Sequence, residues 1–343
     1  MTNVTSHNTS IKSEWHSPPH AKLDTPGAVW HPRWMRFHPL ALLLTGIVPA
    51  FAFDATPKAE TPKITHSFFV AGGQTAILKD DGTEIWKYPN ATRDGFVLES
   101  GNLLLAVSKN KDYPGGAVLE LTREGKVVFE YKGTQSEVNT AQKLSNGNIM
   151  LTEAGATPRI LEVDSSGKVV VEVPLQCQNT NHHMESRMAR KLANGNYLVP
   201  QLFDKVVREY TPEGKIVWEY KAPEDLKEGW PFTAIRLPNG HTLIDLTHSN
   251  TTVEVDKDGK VVWQLTNADL PSPLLKDPCG AQRLPNGNTV ITSYSAGDQT
   301  VKMLEVTPDK KVVWTFEREQ KGGIHEFQIL DTNGVPLEGA PMK

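Results

Sequence analysis

The chain is poor in the features that usually declare an activity. It has only two cysteines in 343 residues, Cys177 and Cys279, too few for a disulfide framework of the small-module kind. It carries no Gly-x-Ser-x-Gly elbow, no His-Glu-x-x-His pair and no glycine-rich phosphate loop, which removes the hydrolases, zinc peptidases and nucleotide-binding proteins built on those motifs. Apart from the adjacent His182 and His183, no histidines stand at a recognised ligand spacing, so no metal site is expected. Positive charge is not in excess: 36 Lys and Arg stand against 40 Asp and Glu, a formal charge of −4. Such a chain has no electrostatic reason to seek nucleic acid or anionic lipid.

Long apolar runs are also missing, with one exception. Residues 39–52 form an apolar stretch too short to span a bilayer as a helix, preceded by Arg33 and Arg36 and closed by Ala50-Phe51-Ala52. This is the pattern of a secretory signal peptide over about residues 35–52, with cleavage expected after Ala52. Met35 stands where such a signal would start, so residues 1–34 are either an extension or a misassigned beginning. No cysteine follows the run, so no lipid anchor is expected. The mature protein, with a linker over residues 53–65, is expected in the periplasm or outside the cell, free of the membrane.

What the chain does have is a repeat. Leu237-Pro-Asn-Gly-His-Thr-Leu-Ile and Leu284-Pro-Asn-Gly-Asn-Thr-Val-Ile are followed by the strands Gly259-Lys-Val-Val-Trp263 and Lys310-Lys-Val-Val-Trp314. Aligned on the strand before each Asn-Gly turn, the matched positions are Gly95, Ala141, Ala189, Ala234, Ala281 and Phe327, spaced by 46, 48, 45, 47 and 46 residues. The Asn-Gly pairs suit two-residue hairpins in which both central residues take positive φ. The second hairpin ends on Trp86, Phe129, Val171, Trp218, Trp263 and Trp314 in turn; the aromatic is lost only at Val171, and the tryptophans are expected to pack between neighbouring units. Repeats of this length made only of strands and turns define a β-propeller.

The ends complete each other. Residues 66–88 carry the later strands of a blade without its inner strand, and residues 323–334 supply an inner strand with nothing after it. Joined, they close a sixth blade and remove the free sheet edges. The fold expected for residues 66–343 is therefore all-β, a single six-bladed propeller of four-stranded antiparallel blades closed by both terminal segments. Cys177 and Cys279 fall in distant blades and are expected to be free or buried.

The Glu-Val-Asp-x-Asp-Gly-Lys-Val-Val-Trp motif resembles the tryptophan repeat of quinoprotein-type, PQQ-like propellers. The paired Leu-Pro-Asn-Gly-Asn-Thr sentence is similar to that of bacterial arylsulfotransferase-like propellers, which are six-bladed. The resemblance covers nearly all of residues 66–334 and rests on packing and turn motifs, so it speaks to fold more than to activity. PQQ-dependent dehydrogenases resemble an eight-bladed ring with an adjacent cysteine pair and a calcium site; six repeats and two separated cysteines argue against PQQ here. The arylsulfotransferase resemblance implies a channel histidine that carries sulfate. This chain lacks that family's extra N-terminal domain and has no extended motif mapping a histidine onto its nucleophile.

In a propeller the loops before each inner strand share a rim with the loops joining the second and third strands. That rim receives His182, His183, His248 and His325, while His241 falls on the opposite rim and His66 starts the outer part of the closing blade. His325, His183 and Arg187 are the candidate catalytic residues, since imidazole works as base, acid or nucleophile and arginine clamps an oxyanion. Arg93, Asp94, Asn139, Trp230, Phe232, His248 and Glu326 are candidate ligand-binding residues on the same rim. A blander reading has these side chains wetting a water-filled channel, with Glu137, Glu185 and Asp277 acting as blade-to-blade hydrogen-bond acceptors. Three functions follow: binding of a small molecule, glycan or protein partner at the rim; sulfate transfer through a channel histidine; or a lactonase-like hydrolase holding calcium on Asp94, Asn139, Glu185 and Glu326. Binding is the preferred reading.

Overall fold

The computed structural model describes residues 63–179, 181–295, 301–318 and 323–343, within one compact unit, Glu60–Lys343. The expected signal peptide and most of the linker lie outside the described residues. Among the described residues, strands form six antiparallel sheets, accompanied only by two three-residue 3-10 turns. The inner strands are Thr92–Val97, Glu137–Lys143, Arg190–Lys191, Trp230–Arg236, Ala281–Arg283 and Ile324–Thr332. They head blades 1 to 5 and the closing blade respectively, and the protein is a six-bladed β-propeller.

Each blade grades from apolar to amphipathic, because inner strands are sandwiched between neighbours and outer strands are not. In blade 1 Leu103–Val107 is buried at every position, whereas the outer strand Val127–Lys132 exposes Val127 and Val128. Small residues occupy five of the six aligned positions where blades converge, and Phe327 fills the sixth. At Gly95 a Cβ would approach the Phe69 ring of the closing blade to 2.8 Å, so even alanine would force a shift.

The Asn-Gly turns differ from the expected two-residue form. In blade 2 Gly147 N–H donates to Leu144 O at 2.9 Å and Leu144 N–H to Asn148 O at 2.8 Å, with only Gly147 at positive φ. This is a type I turn followed by a left-handed glycine. Asn146 contributes through its side chain instead, whose Oδ1 accepts Asn148 N–H at 3.0 Å. The same bond recurs from Asn194, Asn239 and Asn286.

The repeated tryptophans reach across blade boundaries. The indole N–H of Trp86 donates to Arg123 O at 3.0 Å, that of Trp218 to Lys257 O at 2.8 Å and that of Trp263 to Pro308 O at 2.9 Å. Each indole thus ties the outer edge of one blade to a turn of the next. Trp314 donates to Asp80 Oδ1 at 2.6 Å, joining blade 5 to the N-terminal strands of the closing blade. Phe129 and Val171 cannot make this bond.

The ring closes between the two ends. Ile324–Thr332 pairs with His66–Gly72, placing Val70 opposite Phe327 and Ala71 opposite Glu326. The buried His66 Nε2 lies 2.8 Å from Glu305 Oε2 and adds a link to blade 5. Beyond residue 334, where the repeat ends, a short strand Val335–Pro336 pairs with the inner strand, and residues 337–343 return to the channel. Trp314→Phe keeps the packing but removes the shortest bond to the Asp80 carboxylate, leaving it the longer contacts from His66 N–H at 3.4 Å and Lys63 Nζ at 3.5 Å. It is expected to lower unfolding free energy by about 2 kcal/mol, against about 1 kcal/mol for Trp218→Phe, whose acceptor is a neutral carbonyl. Urea denaturation measures both, and equal losses would contradict the special role of the closing bond.

Candidate functional site: the channel mouth

Two residues before each aligned position stand Arg93, Asn139, Arg187, Phe232, Cys279 and His325, four of them on the inner strands and Arg187 and Cys279 on the segments leading into them. Symmetry alone sets these six at one level of the channel. Contacts show that several of them meet across it. The Arg187 guanidinium lies 5.7 Å from the Phe232 ring centroid, and Phe232 stacks on His325 with centroids 5.8 Å apart and 6° between planes. Blades 3, 4 and the closing blade therefore converge on one space. Tyr294, from the loop after the second strand of blade 5, covers the histidine at 4.6 Å.

Arg187 is 1% exposed, and no carboxylate pairs with it among the described residues. Its Nη1 donates to Ser186 O at 2.8 Å, while Nε has no partner. Burial, then the nearby Arg93 charge, pull its pKa down to about 9, with Glu137 opposing. A desolvated guanidinium without a counter-anion is costly unless something negative answers it.

Arg93 is better provided for. Its Nη2 reaches Glu137 Oε2 at 3.3 Å, and Glu137 also takes Lys109 at 3.2 Å. His183 Nδ1 lies 3.0 Å from both Glu137 oxygens and 3.4 Å from Arg93 Nη2. The shorter contacts assign the Nδ1 proton to the carboxylate, so the arginine contact is no hydrogen bond. Burial raises the Glu137 pKa, but His183 and Arg93 outweigh it and bring it down to about 2. Half-exposed His183 stands at the lip, on the 3-10 turn His182–Met184.

His325 lies deeper, between Phe232 and Tyr294. Burial, then the charges of Arg93 and Arg187, hold its pKa at about 3, so the imidazole is neutral near pH 7, and its Nδ1 has no partner. Arg93 Nε, both amide atoms of Asn139 and Ser186 Oγ are likewise buried without partners. Buried polar atoms are rarely left unpaired, and here they gather on one arc of the mouth.

The remaining candidates divide by depth. Asp94 and Glu326 follow Arg93 and His325 one residue down the channel and are fully buried. Asp94 is occupied: Oδ2 takes Thr140 Oγ1 at 2.5 Å and Arg190 Nη1 at 2.8 Å. Trp230 and His248 lie against each other at a tilt, with ring centroids 4.3 Å apart and 38° between planes; Phe203 lies 4.8 Å from Trp230, which packs against the cluster holding Phe232 and Cys279. Glu137, Glu185 and Asp277 accept across blade boundaries, Glu185 from Gly155 N–H at 2.9 Å and Asp277 from His248 N–H at 3.1 Å. Among the described residues no group of three or more His, Cys, Asp or Glu side chains is placed to hold a metal ion. Cys177 and Cys279 are both free thiols.

Tyr294, Ser186, Arg190 and Lys343 escaped the sequence reading. Tyr294 lies on a loop of the type assigned to this rim, and Ser186 precedes Arg187, so both carried a positional signal. Nothing in the repeat pointed to Lys343.

The family model described as outer membrane protein assembly factor BamB matches residues 71–335. The chain belongs to this family of PQQ-like repeat propellers, which is typically extracytoplasmic. Among the described residues no helix is long and apolar enough to cross a membrane. No curated protein matches the chain. Among solved structures, a protein of unknown function from Bacteroides caccae is 23% identical, with a TM-score of 0.67 over 80% of this chain and 100% of its own. A catalytically inactive virginiamycin B lyase from Staphylococcus aureus with quinupristin is 14% identical, with a TM-score of 0.54 over 78% of this chain and 93% of its own. A putative 6-phosphogluconolactonase from Bacteroides fragilis is 12% identical, with a TM-score of 0.51 over 76% and 83%. At these identities the likeness is one of fold.

The buried imidazole has a measurable consequence. Its folded pKa of about 3 lies below the ordinary 6.5, so below pH 6.5 the unfolded chain takes up a proton that the folded one refuses. Stability is expected to fall with pH between those values, by roughly 2 kcal/mol from pH 6.5 to 4.5. His325→Gln should remove that slope, and urea denaturation at several pH values compares the two.

Proposed function

We propose that this protein is a periplasmic binding propeller whose channel mouth seats a small molecule bearing an oxyanion and a planar ring. The unpaired, buried Arg187 is the observation that carries this reading. Arg187, Arg93 and Asn139 offer donors to a sulfate, phosphate or carboxylate, since guanidinium meets such groups in a bidentate fork. Phe232, Tyr294 and the neutral His325 offer flat faces to the rest of the ligand. A glycan without an acidic group would leave the guanidinium unanswered. The role named in the family's description, outer membrane protein assembly, would use a protein surface instead.

Titration calorimetry with inorganic sulfate, phosphate, an aryl sulfate and an aryl carboxylate tests the proposal. Binding of a ring-bearing anion is expected, weakened by about tenfold or more in Arg187→Met, the worth of a charge-assisted hydrogen bond. If no oxyanion binds, or Arg187→Met binds as well as the native chain, the mouth is not an anion site. Glycans and protein partners then become the candidates.

A second reading has one observation in its favour: His325 is a neutral imidazole with a free Nδ1 beside two guanidiniums. In sulfuryl transfer the Nδ1 lone pair attacks sulfur, the aryl oxygen leaves with the bonding pair, and a phenol acceptor later takes the sulfuryl group and gives up its proton. The arginines would hold the sulfuryl oxygens. Turnover of an aryl sulfate with a phenol, abolished in both His325→Ala and Arg187→Ala, would establish it. Binding without turnover leaves the first reading.

A further inference from the structure

Beneath the arginine arc the channel does not run open. Residues 337–343 cross the turn-side face, where Arg283 N–H donates to Met342 O at 3.1 Å, and bring Lys343 into the axis. The Lys343 main-chain oxygen accepts Arg190 Nε at 3.0 Å. Its side chain is wholly buried, with Nζ 3.5 Å from Asp94 Oδ1, 3.7 Å from Glu326 Oε1 and 4.0 Å from the Phe96 ring centroid. Arg190 completes the group, bonded to Asp94 and 3.7 Å from Glu326 Oε2.

The arrangement is asymmetric in a way that concerns the mouth. Asp94 and Glu326 stand one residue below Arg93 and His325 on the same two strands. Burial works against the Asp94 charge, but Arg190 and Lys343 outweigh it and keep the carboxylate ionised. Glu326 is shifted upward by burial, although Lys343 and Arg190 pull the other way. Without Lys343, the Arg190 guanidinium alone would face Asp94 and Glu326, with the buried Asp245 close enough to Glu326 to interact with it. A negative floor there would repel the anion that Arg187 calls for, and low-dielectric surroundings would let that repulsion reach the mouth.

We propose that Lys343 is the floor of the ligand site: inserted from the turn side, it closes the channel and cancels the carboxylate charge below, so that the mouth selects anions over cations. This inference rests on the oxyanion reading above. Lys343 acts as a specificity-determining residue through charge and not through contact with the ligand.

The experiment compares the native chain with Lys343→Met, Lys343→Arg and the double variant Lys343→Met with Asp94→Asn. Titration calorimetry with the aryl sulfate reads affinity, and circular dichroism confirms that each protein is folded. Lys343→Met is expected to weaken binding about tenfold, the scale of one uncompensated charge near the site. Lys343→Arg should bind within about threefold of native, and the double variant should recover most of the loss because a charge of each sign is gone. A purely packing role predicts no such recovery and would overturn the proposal, as would native affinity in Lys343→Met. If Lys343→Met alone fails to fold, the double variant decides: near-native affinity supports the charge role and weak binding refutes it. Failure of the native chain to bind any oxyanion would instead remove the underlying reading, which these variants do not touch.

Discussion

A ring of blades exists only if its last sheet finds its first. In this protein that seam is the pairing of Ile324–Thr332 with His66–Gly72, reinforced from blade 5 by Trp314 on Asp80 and His66 on Glu305. The rest of the structure depends on it. Closure sets the inner strands of the first and last blades against neighbours and pairs His66–Gly72, which would otherwise be an open edge. It also brings His325, from one end of the chain, into the same space as Arg187 and Phe232 from the middle. Without the seam the channel mouth would not exist, because its members lie about 45 residues apart along the sequence and have no local reason to meet.

The mouth is an exercise in desolvation. Arg93, Asp94, Glu137 and Arg190 are charges taken out of water, and each is answered by an opposite charge nearby. Arg187 is not answered, and the imidazole beside it is kept neutral. A buried guanidinium that pairs with no carboxylate among the described residues is the feature least explicable by stability, since hydrophobic or paired alternatives would hold the blades together as well. It is intelligible as preparation for a negatively charged ligand, and Lys343 beneath it extends the same electrostatic logic to the floor. On the oxyanion reading proposed above, two levels of the channel would carry separate tasks: the upper presents donors, and the lower cancels the carboxylates that would oppose them.

Much of this was readable from the chain. The 46-residue period, the Asn-Gly turns and the tryptophan strands specify six blades, and the incomplete ends specify how they close. Even the site was half visible, because a repeat assigns residues at equal register to equal depth; Arg93, Asn139, Arg187, Phe232 and His325 could be placed on one rim from spacing alone. Turn geometry was read less well. Asn146 and its equivalents work through a side-chain oxygen at negative φ, a choice between two turn types that share the same residue preferences.

Local order, blade number and rim membership were therefore set by the sequence itself, since they follow from short-range preferences repeated at a fixed interval. Which rim residues touch, which charges are paired and which stay unpaired could be decided only in three dimensions. Burial and partnership depend on side chains that arrive from other blades: Glu137 pairs with Arg93 from the next blade, no carboxylate among the described residues pairs with Arg187, and Lys343 reaches Asp94 from nearly 250 residues away. Lys343 belongs to no repeat, so no periodicity could announce it. Its place on the axis is a consequence of closure, which turns the centre of the ring into the one point where distant parts of the chain must share their charge.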